Sequence, residues 1–370
     1  MSPSQSGAKV PRTLVISDLH LGAGRGRPRL EDRTARERLA AAIAGYERLV
    51  LLGDIVELRE LPLRDALAAA SRILPEVTAA LPPGSEVVVV PGNHDHELLA
   101  PWLSRRRAAT PDLPLGSQSE VDWLPGEPLA QLAECFPGHV RVSGCYPGLW
   151  LRDDVYAHHG HYLDAVTTTP GFERLGAGAM SRMLKRPVTE ACSADDYERL
   201  LAPIYAWMFA ISEQGGSGAE QVDDDAPSPK GSAKVLKLVN DSRGISAQAL
   251  KFGISGAVSL LERAGLGDLS GNLAGEALRR ASLAAYGQVL TALQLTPAYA
   301  IFGHTHRAGP LPRDLLSEWS TPAGTRLFNS GCWVNEIAFL GSEPRLSPYR
   351  AGFAVELEAS GPPRLVNLLD

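Results

Sequence analysis

Asp18-Leu19-His20, Gly53-Asp54, Gly92-Asn93-His94-Asp95, His159-Gly160 and Gly303-His304-Thr305-His306 follow one another along this chain. Their carboxylates, amide oxygen and imidazoles are donors for hard or borderline divalent ions, in a set without thiolates. Two such ions held about 3.5–4 Å apart form a clamp for in-line displacement at phosphorus. Asp18 and His20, like His304 and His306, stand two residues apart, which puts their side chains on one face of an extended segment. Asp54 follows an apolar run and has an oxygen for each ion; taken alone it reads equally as a helix N-cap. Asn93 is the most specific donor, because an amide oxygen is an unusual ligand and Gly92 lets the backbone turn sharply to aim it. In His158-His159-Gly160-His161, strand alternation sends His158 to the face opposite His159.

Each motif follows a short apolar run rich in β-formers: 12–17, 49–52, 86–90, 148–157 and 298–302. Residues 31–45 and 63–80 carry helical spacing between the first three runs. This βαβαβ order predicts a mostly parallel sheet, with ligands beyond the C-terminal ends of its strands. Residues 325–329, 351–358 and 364–368 read as closing strands forming a second sheet. Residues 194–213 and 246–293 are rich in Ala and Leu at helical spacing. They are split by 214–232, a Gly/Ser/Asp/Pro stretch that reads as a mobile link. The expected division is a flexible N-terminus (1–11), a core (12–163), a helical insertion or cap (164–295) and the rest of the core (296–370).

With 44% hydrophobic and 21% charged residues in 370, the chain has an ordinary globular composition. Its net charge of -6 offers no global basic field, so nucleic acid is not an expected partner. Positive potential for a phosphate would have to come from bound ions. Arg105-Arg106-Arg107 is the one basic cluster; Arg105 is a candidate phosphate contact, beside the plainer reading of a solvated helix end. The cysteines (Cys135, Cys145, Cys192, Cys332) form no C-x-x-C pair, which suits reduced thiols. Met1 to Pro11 lacks the apolar stretch of a secretory signal. No run approaches the roughly 18–20 apolar residues that span a bilayer. A cytoplasmic location is expected, peripheral membrane contact is left open, and oligomeric state is unreadable.

The order and spacing of the motifs resemble the calcineurin-like metallophosphoesterase superfamily, over residues 12–160 and 296–335. The resemblance implies an α/β fold, an αββα sandwich core with the large helical insertion set into it, and a two-metal phosphoesterase. It implies that Asp18, His20, Asp54 and His306 hold one ion, and Asp54, Asn93, His159 and His304 the other. A hydroxide bridging the ions would attack phosphorus, with His94 steadying the phosphoryl oxygens or protonating the leaving group. Asp95 would orient His94, or simply start a helix. Mn is the first expectation for the two divalent ions, and Fe, Zn, Ni or Co suit the same donors. Members often carry Asp three residues beyond the bridging Asp; here that position is Glu57, outside the implied ligand set. Asn329-Ser330-Gly331-Cys332-Trp333 is similar to the N-x-G-S-W segment of many members, which implies support for the last motif's loop.

These motifs speak to a reaction and not to a substrate. A phosphodiester and a phosphomonoester fit equally, small or lipid-linked, with the cap setting access. A helical cap after the fourth motif resembles the UDP-2,3-diacylglucosamine hydrolases, although this insertion is far longer. His161 and Asp164 are candidate pocket residues beside a structural reading. Tyr205, Trp207, Met208 and Phe209 read as helix core more than as a ligand pocket. Two alternatives remain in view. A repair-type nuclease is opposed by the acidic balance and the lack of a basic aromatic stripe. A non-catalytic scaffold would be expected to have lost ligands, whereas every expected donor and His94 are present.

Overall fold

A computed structural model describes residues 10–24, 28–111, 113–166, 193–215, 269–335, 340 and 343–370. Strands β1 (Thr13–Ile16), β2 (Arg48–Leu52) and β3 (Glu86–Val90) lie parallel, with Thr13 opposite Arg48 and Arg48 opposite Glu86. Helices α1 (Arg33–Ile43) and α2 (Leu63–Thr78) make the crossovers. α1 starts where the Asp32 carboxylate accepts from the Thr34 amide at 2.8 Å, and it buries Ala35, Leu39 and Ile43, a stripe at intervals of four. Downstream come α3 (Ala100–Ala108), β4 (Gln118–Val121) and α4 (Pro128–Ala133).

Strand β5 (Arg141–Arg152) serves two sheets. Its first part pairs parallel with β3, and its second part pairs antiparallel with β6 (Val155–His158). Pro147, which lacks an N–H to give a ladder, lies between the two parts. β7 (Tyr299–Phe302) and β8 (Arg326–Asn329) follow β6 in parallel. β9 (Phe353–Leu357) runs antiparallel to β1, and β10 (Arg364–Asn367) antiparallel to β9. The hydrogen-bonded order is β10-β9-β1-β2-β3-β5-β6-β7-β8, with β4 beside β5.

Period-two alternation sorts the side chains into layers. Val15, Val50, Leu52, Val88 and Val90 of one sheet join Leu149, Leu151, Val155, Ala157 and Ile301 of the other in a single buried cluster. The intervening Leu14, Ile16, Leu49, Leu51, Val87 and Val89 face the opposite way, with the helices, as do Tyr156, Ala300 and Phe302. Two sheets packed face to face with helices outside them make the αββα sandwich.

Several expectations need correction. The run 148–157 is not one strand but the turn of a hairpin, because Asp153-Asp154 breaks it between β5 and β6. Of the three closing strands, only β8 belongs to the second sheet; β9 and β10 extend the first by taking the open edge of β1. β4 was illegible, since Gln-Ser-Glu-Val shows no apolar alternation.

Helix α5 (Ala194–Gly215) and helix α6 (Leu269–Ala292) lie within the stretch expected to be an insertion. The expected mobile link falls outside the described residues from 216 to 232, and so does the 246–268 part of the second helical stretch. Residues 1–9 of the expected flexible N-terminus and Cys192 also lie outside. Cys135, Cys145 and Cys332 are buried thiols. Among the described residues, no helix is long and apolar enough to cross a membrane.

Candidate metal centre

The motifs meet beyond the C-terminal ends of β1, β2, β3, β6 and β7, as the rule for parallel strands requires. Three donor groups form there among the described residues: Asp18, His20 and His306 in the first, Asp54, His159 and His304 in the second, and His20, Glu57 and His94 in a third that shares His20. In the first, His306 Nε2 lies 3.3 Å from Asp18 Oδ1 and 3.2 Å from His20 Nε2. In the second, His159 Nε2 is 3.2 Å from both Asp54 Oδ2 and Asn93 Oδ1, and His304 Nδ1 is 3.1 Å from Asn93 Oδ1. Asp54 Oδ2 also stands 3.9 Å from His20 Nε2, between the first two groups.

The tautomers show what these groups could hold. His159 Nδ1 is 2.8 Å from the Leu52 carbonyl, which fixes a proton there and in the neutral ring leaves Nε2 bare. His304 is the mirror case: Nε2 donates to Asp164 at 2.8 Å, which in the neutral ring leaves Nδ1 bare. In their neutral forms these imidazoles would bring two bare nitrogens to the Asn93 oxygen; without an ion, Asp54 holds His159 protonated. Turning the Asn93 amide over would instead bring its NH2 to both imidazoles and its oxygen to Arg59. The first arrangement calls for a cation and the second does without one. Asp18 Oδ1 is likewise buried without a hydrogen bond, while Oδ2 accepts from Ser17 Oγ and from the His304 amide. Buried oxygens and bare imidazoles of this kind fit divalent ions.

The backbone supports the same reading. Asp18, His20, Asp54, His304 and His306 all have left-handed φ, between 45° and 65°, a region such residues seldom enter and one concentrated at functional sites. Glycines make room beside them. A Cβ on Gly92 would press on Asp54 Oδ1 and stand 2.6 Å from His159 Cδ2, and one on Gly303 would lie 2.5 Å from Asp18 Oδ2. The Asn329–Trp333 segment braces the last motif. Asn329 Nδ2 donates to the Gly303 carbonyl and to Thr305 Oγ1, both at 2.9 Å, and the Trp333 amide donates to the Asp18 carbonyl at 3.0 Å.

Charge is concentrated here. Burial alone would raise Asp18 and Asp54, but the surrounding histidines hold both below the carboxylate range. Burial works against the cationic forms of His20 and His159 too, yet carboxylates push them up, His20 to about 9 through Glu57 and Asp54, His159 to about 10 through Asp54. His94 stays low, by burial first and then by the Arg59 cation, against the pull of Glu57.

Glu57 is a candidate site residue outside the ligand set implied by sequence. Its carboxylate takes His94 Nδ1 at 2.8 Å and His20 Nδ1 at 3.0 Å, and it is 1% exposed. The signal was present in its place three residues after Asp54, where family members often have Asp. Asp95, the expected orienter of His94, is turned to the backbone instead. It accepts from the amides of Gly92 at 2.6 Å, Ile55 at 2.6 Å and Asp54 at 3.3 Å, and so shapes the second and third motif loops. Burial and the neighbouring Asp54 charge raise it to about 6.

The two expected substrate contacts are not placed to serve. His161 is fully buried, with Nε2 3.1 Å from Tyr146 Oη and its ring stacked on His158. Arg105 sits in the last turn of α3 and is ion-paired with Glu127 and Asp122. Asp164, a candidate pocket residue, is the buried partner of His304. His94 and His306 are the open members of the cluster, with side chains 21% and 19% exposed.

The calcineurin-like phosphoesterase family profile matches residues 11–190. Over these residues the chain is similar to that family. Three solved structures resemble it. The Pseudomonas putida nuclease MPE is 20% identical, with 40% of this chain and 53% of that one covered and a TM-score of 0.23. This chain therefore spans about half the length of that nuclease. The cold-active protein-tyrosine phosphatase of a psychrophilic Shewanella species is 12% identical, covering 96% and 80% with a TM-score of 0.28. A dimetal phosphatase from Danio rerio is 12% identical, covering 98% and 100% with a TM-score of 0.34. No curated protein matches the chain. Among the described residues, the His/carboxylate groups are the metal-binding candidates.

Proposed function

We propose that the protein hydrolyses a phosphate ester at a two-metal centre. The observation that carries this is Asp54 Oδ2, placed 3.2 Å from His159 Nε2 in one donor group and 3.9 Å from His20 Nε2 in the other. Asp18, His20, Asp54 and His306 would hold one ion; Asp54, Asn93, His159 and His304 the other. Two divalent cations would supply Lewis acidity toward phosphoryl oxygens and acidify a shared water. Manganese is our first choice for this donor set.

The chain's own residues do the rest. His94 has Nδ1 committed to Glu57, so Nε2 is the nitrogen left to meet substrate. In the neutral ring that nitrogen is bare; once protonated it would steady a phosphoryl oxygen or carry a proton to the leaving group. Glu57 fixes the ring's tautomer and balances its charge when protonated. His20, held through Nδ1 by the same carboxylate, keeps Nε2 toward the first donor group. We assign residues 12–163 and 296–370 to the core and 164–295 to an insertion that sets access. A cytoplasmic location accords with the buried thiols.

The test is hydrolysis of bis-p-nitrophenyl phosphate and p-nitrophenyl phosphate by metal-stripped protein, before and after Mn is restored. Mn-dependent turnover that Asp54→Ala and His94→Ala both abolish is expected, and the preferred ester separates diesterase from monoesterase. Failure of the wild type to bind Mn would overturn the proposal.

A further inference from the structure

A buried cluster outside the donor groups is contributed partly by the insertion. Glu198, on α5, is 3% exposed, and its carboxylate is enclosed by core residues. Its Oε2 is 2.8 Å from His96 Nε2, and its Oε1 accepts from Tyr146 Oη at 2.6 Å and Tyr162 Oη at 2.7 Å. Tyr146 Oη is also 3.1 Å from His161 Nε2. Burial would raise this carboxyl, but the His96 charge and the bonds from His96, Tyr146 and Tyr162 hold it below its usual range.

The partners of Glu198 come from two motif loops. His96 is three residues beyond Asn93, in the loop that continues the third motif. Tyr162 is three residues beyond His159, in the 3₁₀ turn after the fourth motif. Asn93 and His159 face each other at 3.2 Å in the second donor group. One carboxylate from the insertion thus ties the two loops whose separation sets that distance. The rest of α5 follows the same course. The Tyr197 ring stacks on Tyr162 at 4.5 Å, and Ser212 Oγ donates to the Leu58 carbonyl at 2.7 Å, next to Glu57.

We propose that Glu198 is a positioning residue for the second metal site, so that the first helix of the insertion is part of the site's framework and not only a cover over it. The inference rests on the two-metal reading. Glu198 touches neither ion nor substrate; it acts through His96 and Tyr162. A buried carboxylate that satisfies three donors is costly to replace, since its removal leaves His96 and Tyr162 without this acceptor and Tyr146 with only His161.

The experiment is calorimetric titration of Mn into the metal-stripped full chain, with folding followed by circular dichroism and thermal unfolding. Glu198→Ala should weaken one of the two Mn sites ~10-fold or more, the scale set by partners behind metal ligands. Glu198→Gln, which keeps an acceptor for the tyrosines, should restore most of that affinity. Tyr162→Phe, which removes a single bond, should fall between wild type and Glu198→Ala, and it carries the test if Glu198→Ala does not fold. A folded Glu198→Ala or Tyr162→Phe that unfolds at lower temperature, yet binds two Mn as tightly as wild type, would overturn the inference by showing a stability role alone. Wild-type protein that binds no Mn would overturn the two-metal reading, and this inference with it.

Discussion

Replacing Gly92 by alanine adds one methyl group at the point where Asp54 and His159 approach most closely. The new Cβ would stand 2.6 and 2.7 Å from His159 Cδ2 and Nε2, where ordinary contact begins near 3.4 Å, and would press on Asp54 Oδ1 as well. The imidazole must then withdraw by roughly 0.7–0.8 Å, or the loop must move. Neither has slack. His159 is fully buried with Nδ1 bonded to the Leu52 carbonyl, Asp54 Oδ1 accepts from the His94 amide at 2.8 Å, and the Gly92 amide is held by Asp95. Overpacking of this kind costs about 1–3 kcal/mol of stability. Metal sites tolerate only about 0.2 Å in ligand distance. Loss of aim in two donors should therefore cost ~10–100-fold in Mn affinity, by comparison with changes behind the ligands. Mn calorimetry and thermal unfolding in chelator would measure the two effects separately. Gly138→Ala is the control, because nothing lies within 4 Å of its Cβ position; it should leave both readings unchanged. A Gly92→Ala protein with wild-type Mn affinity would refute the claim that Asp54 and His159 are ligands held in place by this close contact.

Two further outcomes follow from the geometry. Glu57→Gln should lower kcat ~100-fold, the low end for proton-transfer catalysis, and weaken Mn at the first donor group, which contains His20; undiminished turnover would refute the Glu57–His94 pairing as functional. Burial would raise Asp314, but bonds from Arg307, the Leu311 amide and the Arg279 charge hold it below the carboxylate range. A depressed carboxyl contributes stability above its unfolded value of about 4 and loses it as pH falls through the folded value. Asp314→Asn should thus cost about 1–3 kcal/mol at pH 7 in urea unfolding, and the gap from wild type should close below pH ~4. A gap constant with pH would refute the assignment.

The donor residues were legible because each ends an apolar strand, and burial of strands leaves a strong local signal. β1, β2, β3 and β7 were read within a residue or two for that reason. The hairpin at Asp153-Asp154 was lost because an apolar run on both sides of a two-residue turn looks continuous. Which sheet β9 and β10 would join was not legible either, since pairing with β1 is set more than 330 residues away, as the bond from Arg12 to Glu358 at a separation of 346 shows. Side-chain partners were the least legible of all. Asp95 and Glu57 are both acidic residues near His94, and only the turn of the third motif decides that Glu57 reaches the imidazole while Asp95 meets three backbone amides. Glu198 could not be found by spacing, because it comes from another segment, 102 residues beyond the His96 it meets.

The backbone conformations join these separate findings. Left-handed backbone is uncommon outside glycine, though Asp and His enter it more readily than most, and Asp18, His20, Asp54, His304 and His306 all take that conformation. Local sequence preference would not choose it, so the surroundings must impose it. The amides of Asp18 and His20 are bound to the carbonyls of Gly53 and Asp54, at 3.0 and 2.9 Å, which locks the first two motifs to each other. The amide of His304 is bound to Asp18 Oδ2, and Trp333 closes on the Asp18 carbonyl, which locks the last motif to the first. The motifs therefore hold one another in strained conformations, and the strain falls on the residues proposed as ligands. A fold optimised for stability alone would relax these positions. Their shared conformation is what a site built to aim several donors at common points requires, and it makes the donor groups a single cooperative unit, in which displacing one member should loosen the rest.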